Sequence, residues 1–275
     1  DALEPWDKVP RLDSWLVENF EAKGDAEYNA QVFRKWLVAM IIRAYEPGAK
    51  FDWMPIFEGA QGVGKSSFGR LLCGDKYFLD WLPNLADKDA ALALQGMWVI
   101  EMGELSSFRK NEIEVIKGFV TRTVDKVRPP FGRRWIESAR RCVFFGTTNK
   151  ETYLRDDSGN RRFKPLVVGK LDFEKLREDR VQLFAEAKYL YDTFQETPET
   201  LDLTGQAKEY EISVHQDKMV EDDSDIMHEF LTMFFEAKNE GKIDVDFDAQ
   251  KFRMSELFAG LGPLSKFKFD SRNVQ

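Results

Sequence analysis

The chain is poor in the residue that builds metal frameworks and cross-links: among 275 residues there are two cysteines, Cys73 and Cys142. They stand far apart and outside any metal-ligand spacing, which excludes a disulfide framework and a zinc-cysteine site and fits a reducing cytosol. No apolar run approaches the roughly 18 residues that a membrane span requires. A signal-peptide pattern, internal repeats and low-complexity segments are lacking as well, so a soluble protein without a membrane anchor is expected. There is no initiating methionine, and the start at Asp1 predicts a piece of a longer or processed protein. What is abundant is material for a core: 43% of the residues are apolar, including 23 Phe and 7 Trp, enough for one large domain with appendages or two compact ones. The net charge of -8 counts against a nucleic-acid partner unless the basic residues are concentrated somewhere.

The apolar pattern changes period along the chain. Leu12, Trp15, Leu16 and Phe20 recur at helical spacing, as do Phe33, Trp36, Leu37, Met40 and Ile41, so residues 1–50 read as a helical, collar-like N-terminal segment closed by Pro47 and Gly48. Short apolar runs follow at Met54–Glu58, Met97–Glu101, Cys142–Gly146 and Phe163–Val168. They are separated by helical stretches at 66–72, 87–94 and 109–119 and followed by a long amphipathic helix over Phe173–Phe194. Strands that are apolar throughout and alternate with helices predict an α/β core with a parallel sheet over residues 51–195. Pro55 is placed at the first position of its strand, where no ladder donor is lost. Beyond 196 the composition turns acidic, with 17 acidic against 6 basic residues over 196–256, so 196–275 reads as a small, mostly helical acidic C-terminal part.

Between the first strand and the next helix lies Gly59-Ala60-Gln61-Gly62-Val63-Gly64-Lys65-Ser66, followed by Ser67, a complete GxxxxGK[ST] phosphate loop in its proper context. The glycines let backbone N–H groups wrap a polyphosphate, and the helix presents its positive end to the anion. Lys65 would neutralise the β- and γ-phosphates, and Ser66 would ligate Mg²⁺. The plainer alternative is a glycine-rich turn with a solvated lysine.

A carboxylate at the end of a neighbouring strand is where Mg²⁺ and an attacking water need support. Glu101 is assigned to the metal shell and Glu104 to polarising the water, although the two roles can be exchanged. The next strand runs into Thr147-Thr148-Asn149, where Asn149 is the candidate contact to the γ-phosphate or the water. Asn149-Lys150-Glu151-Thr152 lacks the acid that reads guanine in NKxD at its last position, which favours ATP. Farther on, the turn Asp157-Ser158-Gly159-Asn160 projects Arg161 and Arg162, a candidate arginine finger for a neighbouring subunit's ATP.

Taken in order, GxxxxGKS, a strand ending in Glu-Met-Gly-Glu-Leu, a basic segment, a strand ending in Thr-Thr-Asn and then Gly-Asn-Arg-Arg-Phe resemble the virulence-associated protein E family of phage and mobile-element proteins, related to superfamily 3 helicases. The resemblance covers roughly residues 30–200. It implies an AAA+-like ATPase that forms a hexameric ring around single-stranded DNA, often fused to or partnered with a primase or primase-polymerase, in the cytoplasm of a host bacterium. Glu101 and Glu104 are separated by two residues where many superfamily 3 enzymes have an adjacent acidic pair.

The basic residues are indeed concentrated. Residues 106–141 hold 10 basic against 4 acidic residues. Within them, Arg128-Pro129-Pro130-Phe131-Gly132-Arg133-Arg134 reads as a turn between two strands, with Phe131 near the tip. In the enzymes that this chain resembles, such a hairpin lines the ring's channel, which makes Lys126, Arg128, Arg133 and Arg134 candidates for DNA phosphate contacts. Two other functions compete with a helicase motor. One is a nucleotide-gated initiator or loader that does not unwind. The other is a small-molecule kinase, disfavoured because no lid insertion supplies arginines.

Overall fold

The computed structural model describes residues 4–219 except 81–84, 86, 87, 106, 107, 109, 129–133, 155–158, 195 and 196. Asp1–Val220 form one compact unit, and the second, Glu221–Gln275, lies outside the described residues. The divisions expected at 50 and 195 therefore fall inside the first unit. It is a mixed α/β structure around a parallel five-stranded sheet. In chain order it contains α1 (Trp15–Asn19), α2 (Ala26–Tyr45), β1 (Met54–Glu58), α3 (Lys65–Cys73), β2 (Phe78–Leu79), α4 (Lys88–Ala93), β3 (Val99–Met102), α5 (Lys110–Val120), β4 (Val124–Val127), β5 (Ile136–Ala139), β6 (Val143–Thr148), β7 (Phe163–Val167), α6 (Phe173–Phe194) and α7 (Gly205–Asp217).

The main sheet has the order β2-β3-β6-β1-β7, all neighbours being parallel, and β4-β5 form a separate antiparallel hairpin. Alternate residues of the strands feed two cores. Phe57, Val143 and Phe145 face a layer made by α1, α2, α3 and α6, whereas Met54, Ile56 and Phe144 face one that includes Ile113, Ile116 and Phe119 of α5. Phe68 of α3 anchors the first core, with the rings of Trp15, Phe20, Phe33, Trp36 and Phe57 at 5.2–6.3 Å. Helix α2 starts where the Asp25 carboxylate accepts the Tyr28 N–H at 2.7 Å, a capping bond that satisfies one of the free donors of the first turn. The N-terminal helices thus form one face of the core.

Pro55 occupies the second position of β1, and β1 is an interior strand between β6 and β7, contrary to its expected place at the strand's start. The structure accommodates it because pairing with β6 begins only at Ile56, so opposite Pro55 the strand has β7 as its single neighbour. A missing N–H costs least there. Helix α7 closes the unit against β7 through an ion pair that is almost fully buried, Lys164 with Glu211, which Lys208 supports from the helix surface at 2.7 Å from the same carboxylate.

Candidate functional site

The carboxyl ends of β1, β3 and β6 converge on a cavity of about 370 Å³ lined by residues of the 61–67 stretch together with Glu104, Thr147, Thr148, Asn149 and Phe173. In an open parallel sheet this is the edge where ligands bind, because loops of successive strands diverge there. Two glycines shape the approach. Gly64 adopts φ 107°, and a side chain on it would press into Leu171; a Cβ on Gly59 would come within 2.5 Å of the Val168 carbonyl oxygen. With Gly62 at φ 84°, the loop turns tightly enough to begin α3 at Lys65 itself.

The Lys65 ammonium folds back across this loop and donates to the carbonyls of Gly59 at 2.7 Å and Ala60 at 2.8 Å. Burial lowers its pKa, and the nearby Glu101 carboxylate opposes that shift. Ser66 Oγ donates to Glu101 Oε1 at 2.7 Å, and Thr147 Oγ1 donates to the same oxygen at 2.8 Å. Glu101 is only 5% exposed, and burial raises its pKa against the pull of the two hydroxyls. Two strands and a helix start thereby meet at one carboxylate oxygen.

This donor set suits Mg²⁺, which takes hard oxygen ligands and uses one or two carboxylates together with phosphate oxygens and water rather than an all-protein cage. Among the described residues no group of three or more His, Cys, Asp or Glu is placed to hold a metal by itself. Glu104 is exposed at the cavity edge in a left-handed backbone conformation, φ 51°, which a non-glycine residue adopts at a cost that the surrounding fold must cover. Asn149 is exposed at the same edge, just past the end of β6. Since β6 lies between β1 and β3, Asn149 and the two glutamates flank the loop from one side.

A family model for the virulence-associated protein E-like domain matches residues 1–220. The chain belongs to that family. No curated protein matches it. Among solved structures, an A form apo structure of the NrS-1 C terminal region is similar with a TM-score of 0.55 and 17% identity, over 89% of this chain and 61% of that one. A second apo structure of that region has a TM-score of 0.52 and 17% identity, over 79% of this chain and 54% of that one. This is a likeness of fold, and the chain spans little more than half of the length of those structures.

Two further parts of the VapE-like domain carry candidate functional residues. Arg161 and Arg162 precede β7 in a short 3-10 turn, Asn160–Arg162. Because Met54 pairs with Phe163 and Glu58 with Val167, the two arginines sit at the amino-terminal edge of the sheet, opposite the edge that carries their own loop. Arg161 is exposed and lines a second cavity of about 270 Å³ with Lys50, Trp53, Lys164 and Asp202 among others. Arg162 is half-buried beside Gly159, and Lys117 approaches the same glycine.

The basic segment does form a hairpin, with Val124 opposite Ala139 and Val127 opposite Ile136. Arg133 and Phe131 lie outside the described residues, whereas Arg128 and Arg134 are exposed at the described ends of the turn. Lys126 is exposed but faces Glu137 at 3.3 Å, an exchangeable surface pair of little net strength. Two of the counted cations are structural. Lys117 is buried and paired with Glu114 at 2.8 Å, and Arg140, 3% exposed, holds Asp125 through two bonds of 2.6 and 2.8 Å while its plane lies 4.4 Å from the Phe119 ring centroid. Arg140→Leu is expected to destabilise the domain by about 3–5 kcal/mol, since Asp125 is left buried and uncompensated. The doubly apolar Arg140→Leu/Asp125→Leu chain should recover much of that loss in denaturant melts.

Sequence reading missed Thr147 as the second donor to Glu101, Phe173 as a cavity wall, and a buried network beneath the loop. In that network Tyr153 donates to Glu58 Oε1 at 2.7 Å, and Lys218 lies 2.5 Å from Glu58 Oε2. Burial raises the Glu58 pKa while Lys218 and Tyr153 pull it down. A Glu at the last position of a strand before GxxxxGK was the one available signal.

Proposed function

We propose that the chain is an ATP-driven DNA helicase or translocase motor of a phage or mobile-element replication protein. The observation that carries this reading is the meeting of the loop serine, the β3 carboxylate and the β6 threonine at Glu101 Oε1, with Lys65 one residue away from Ser66. In this reading the loop N–H groups bind the triphosphate, and Lys65 exchanges the Gly59 and Ala60 carbonyls for phosphate oxygens. Ser66 and Glu101 would hold Mg²⁺, which on binding neutralises charge on the phosphates. Glu104 and Asn149 orient the attacking water, and an arginine from a neighbouring subunit meets the charge that develops on the transferred group.

Several features support the wider assignment. The chain belongs to the virulence-associated protein E-like family, its fold is similar to that of the NrS-1 C terminal region, and the hairpin presents exposed cations away from the cavity. A homohexameric ring around single-stranded DNA, a fused or partner primase and a cytoplasmic setting in the host bacterium belong to the same proposal. The test is phosphate release from ATP and Mg²⁺ with and without single-stranded DNA, alongside strand displacement on a forked duplex. Hydrolysis should rise with DNA, and Glu101→Gln should cut it by at least about 100-fold while ATP still binds. DNA-independent hydrolysis by a monomer would remove the motor reading, and nucleotide-dependent DNA binding without strand separation would identify an initiator or loader.

A further inference from the structure

The hairpin carries an aromatic residue that the phosphate contacts leave unused. Of the tryptophans among the described residues, only Trp135 is exposed, at 54%. The β4–β5 register places Lys126 opposite Glu137 and Val127 opposite Ile136, and Arg128 and Trp135 are the residues that adjoin these two strand ends. Successive residues of a strand alternate between faces. Val124, Lys126, Glu137 and Ala139 therefore share one face and are all exposed, as are Arg128 and Trp135 just past the strand ends; on the other face Asp125 and Val127 are buried and Ile136 is exposed. The buried Asp125–Arg140 pair at the root ties the hairpin to the domain, and the first face is exposed to solvent.

We propose that this face binds single-stranded nucleic acid, with one base stacked on the Trp135 indole and the flanking phosphates held by Lys126 and Arg128. The inference rests on the DNA-motor reading and specifies the contact. Its chemistry is that of single-strand platforms, in which cations follow the backbone and an aromatic plane takes a base without reading its identity. Lys126 and Arg128 are two residues apart, at most about 6.8 Å of extended chain, a separation that one nucleotide of an extended strand can span. The acid on this face, Glu137, sits against Lys126 and sets the charge that phosphate has to displace. A duplex hides its base faces in the stack and cannot use the indole in this way.

The test uses the whole 275-residue chain and a labelled oligothymidylate, with anisotropy measured across a salt series. Trp135→Ala should weaken binding by about 5- to 100-fold, Trp135→Phe should keep most of the affinity, and neither should change the slope of log affinity against log salt. Arg128→Ala should instead lower that slope by about 0.7, the value of one phosphate contact on a single strand. Unchanged binding by Trp135→Ala, or wild-type binding to duplex as tight as to the single strand, would overturn the stacking proposal and leave the DNA-motor reading standing. Failure of the wild-type chain to bind the oligonucleotide in any nucleotide state, including capture of an acidic protein in its place, would overturn both. Because Trp135 is exposed, the melting temperatures of its variants serve as the fold control and should stay at the wild-type value.

Discussion

Lys65→Ala is expected to lower ATP turnover by at least about 100-fold, the loss typical when one preorganised donor to developing charge is removed. The geometry explains why so large an effect should come with little change in stability. The ammonium makes its two bonds to loop carbonyls, Gly59 and Ala60, at a partly exposed position, and those carbonyls can turn to water when it is gone. A triphosphate in the cavity offers it anionic oxygens instead of neutral ones, and the attraction between opposite full charges then adds to the hydrogen bonds. Lys65→Arg should rescue poorly, because a planar fork cannot replace a compact point charge inside a loop that is closed by Gly59 and Gly64. Steady-state phosphate release measures the effect, and a denaturant melt of the same samples separates it from unfolding. Retention of wild-type turnover by Lys65→Ala would sink the phosphate-loop assignment.

The elements that were legible in the sequence are those with a strong local signature. The Phe173–Phe194 helix was readable to the residue because its amphipathic period runs for 22 residues and Pro198 follows. The buried parallel strands announced themselves as short apolar runs, and the loop as a motif. Pairings between residues distant in the chain were not legible. Nothing near Thr147 indicates that its hydroxyl turns to Glu101, and nothing near Lys218 indicates that its ammonium reaches Glu58 beneath the loop. The change of composition at 196 suggested a boundary, yet Glu211 of α7 is held in the core by Lys164, so an acidic stretch can begin inside a folded unit whenever one of its acids has a buried partner. Charge counting overstated the free cations of the basic segment, because Lys117 and Arg140, which belong to the count, are paired with Glu114, Asp125 and the Phe119 ring.

Arg161→Ala is expected to reduce turnover by about 1000-fold or more, the range seen when an arginine finger is supplied or withheld, with nucleotide binding by the isolated chain nearly unchanged. The argument is topological. Strand β1 carries the loop at its carboxyl end, and β7 runs parallel beside it with Phe163 opposite Met54, so Arg161 is separated from its own loop by the length of the paired strands, about 16 Å. Any role on ATP must then be played on another subunit's ATP. Arg161 is the better candidate of the two arginines, since its side chain is exposed at the rim of a cavity whereas Arg162 is half-buried beside Gly159. Mixing tests this directly. Chains with Arg161→Ala keep an intact Lys65, and chains with Lys65→Ala keep an intact Arg161, so each is inactive alone. Together they form some interfaces that join a working loop to a working finger. Recovery of phosphate release on mixing, to a fraction set by the ratio of the two chains, is the expected result, and a mixture as inactive as its components would remove Arg161 from the reaction.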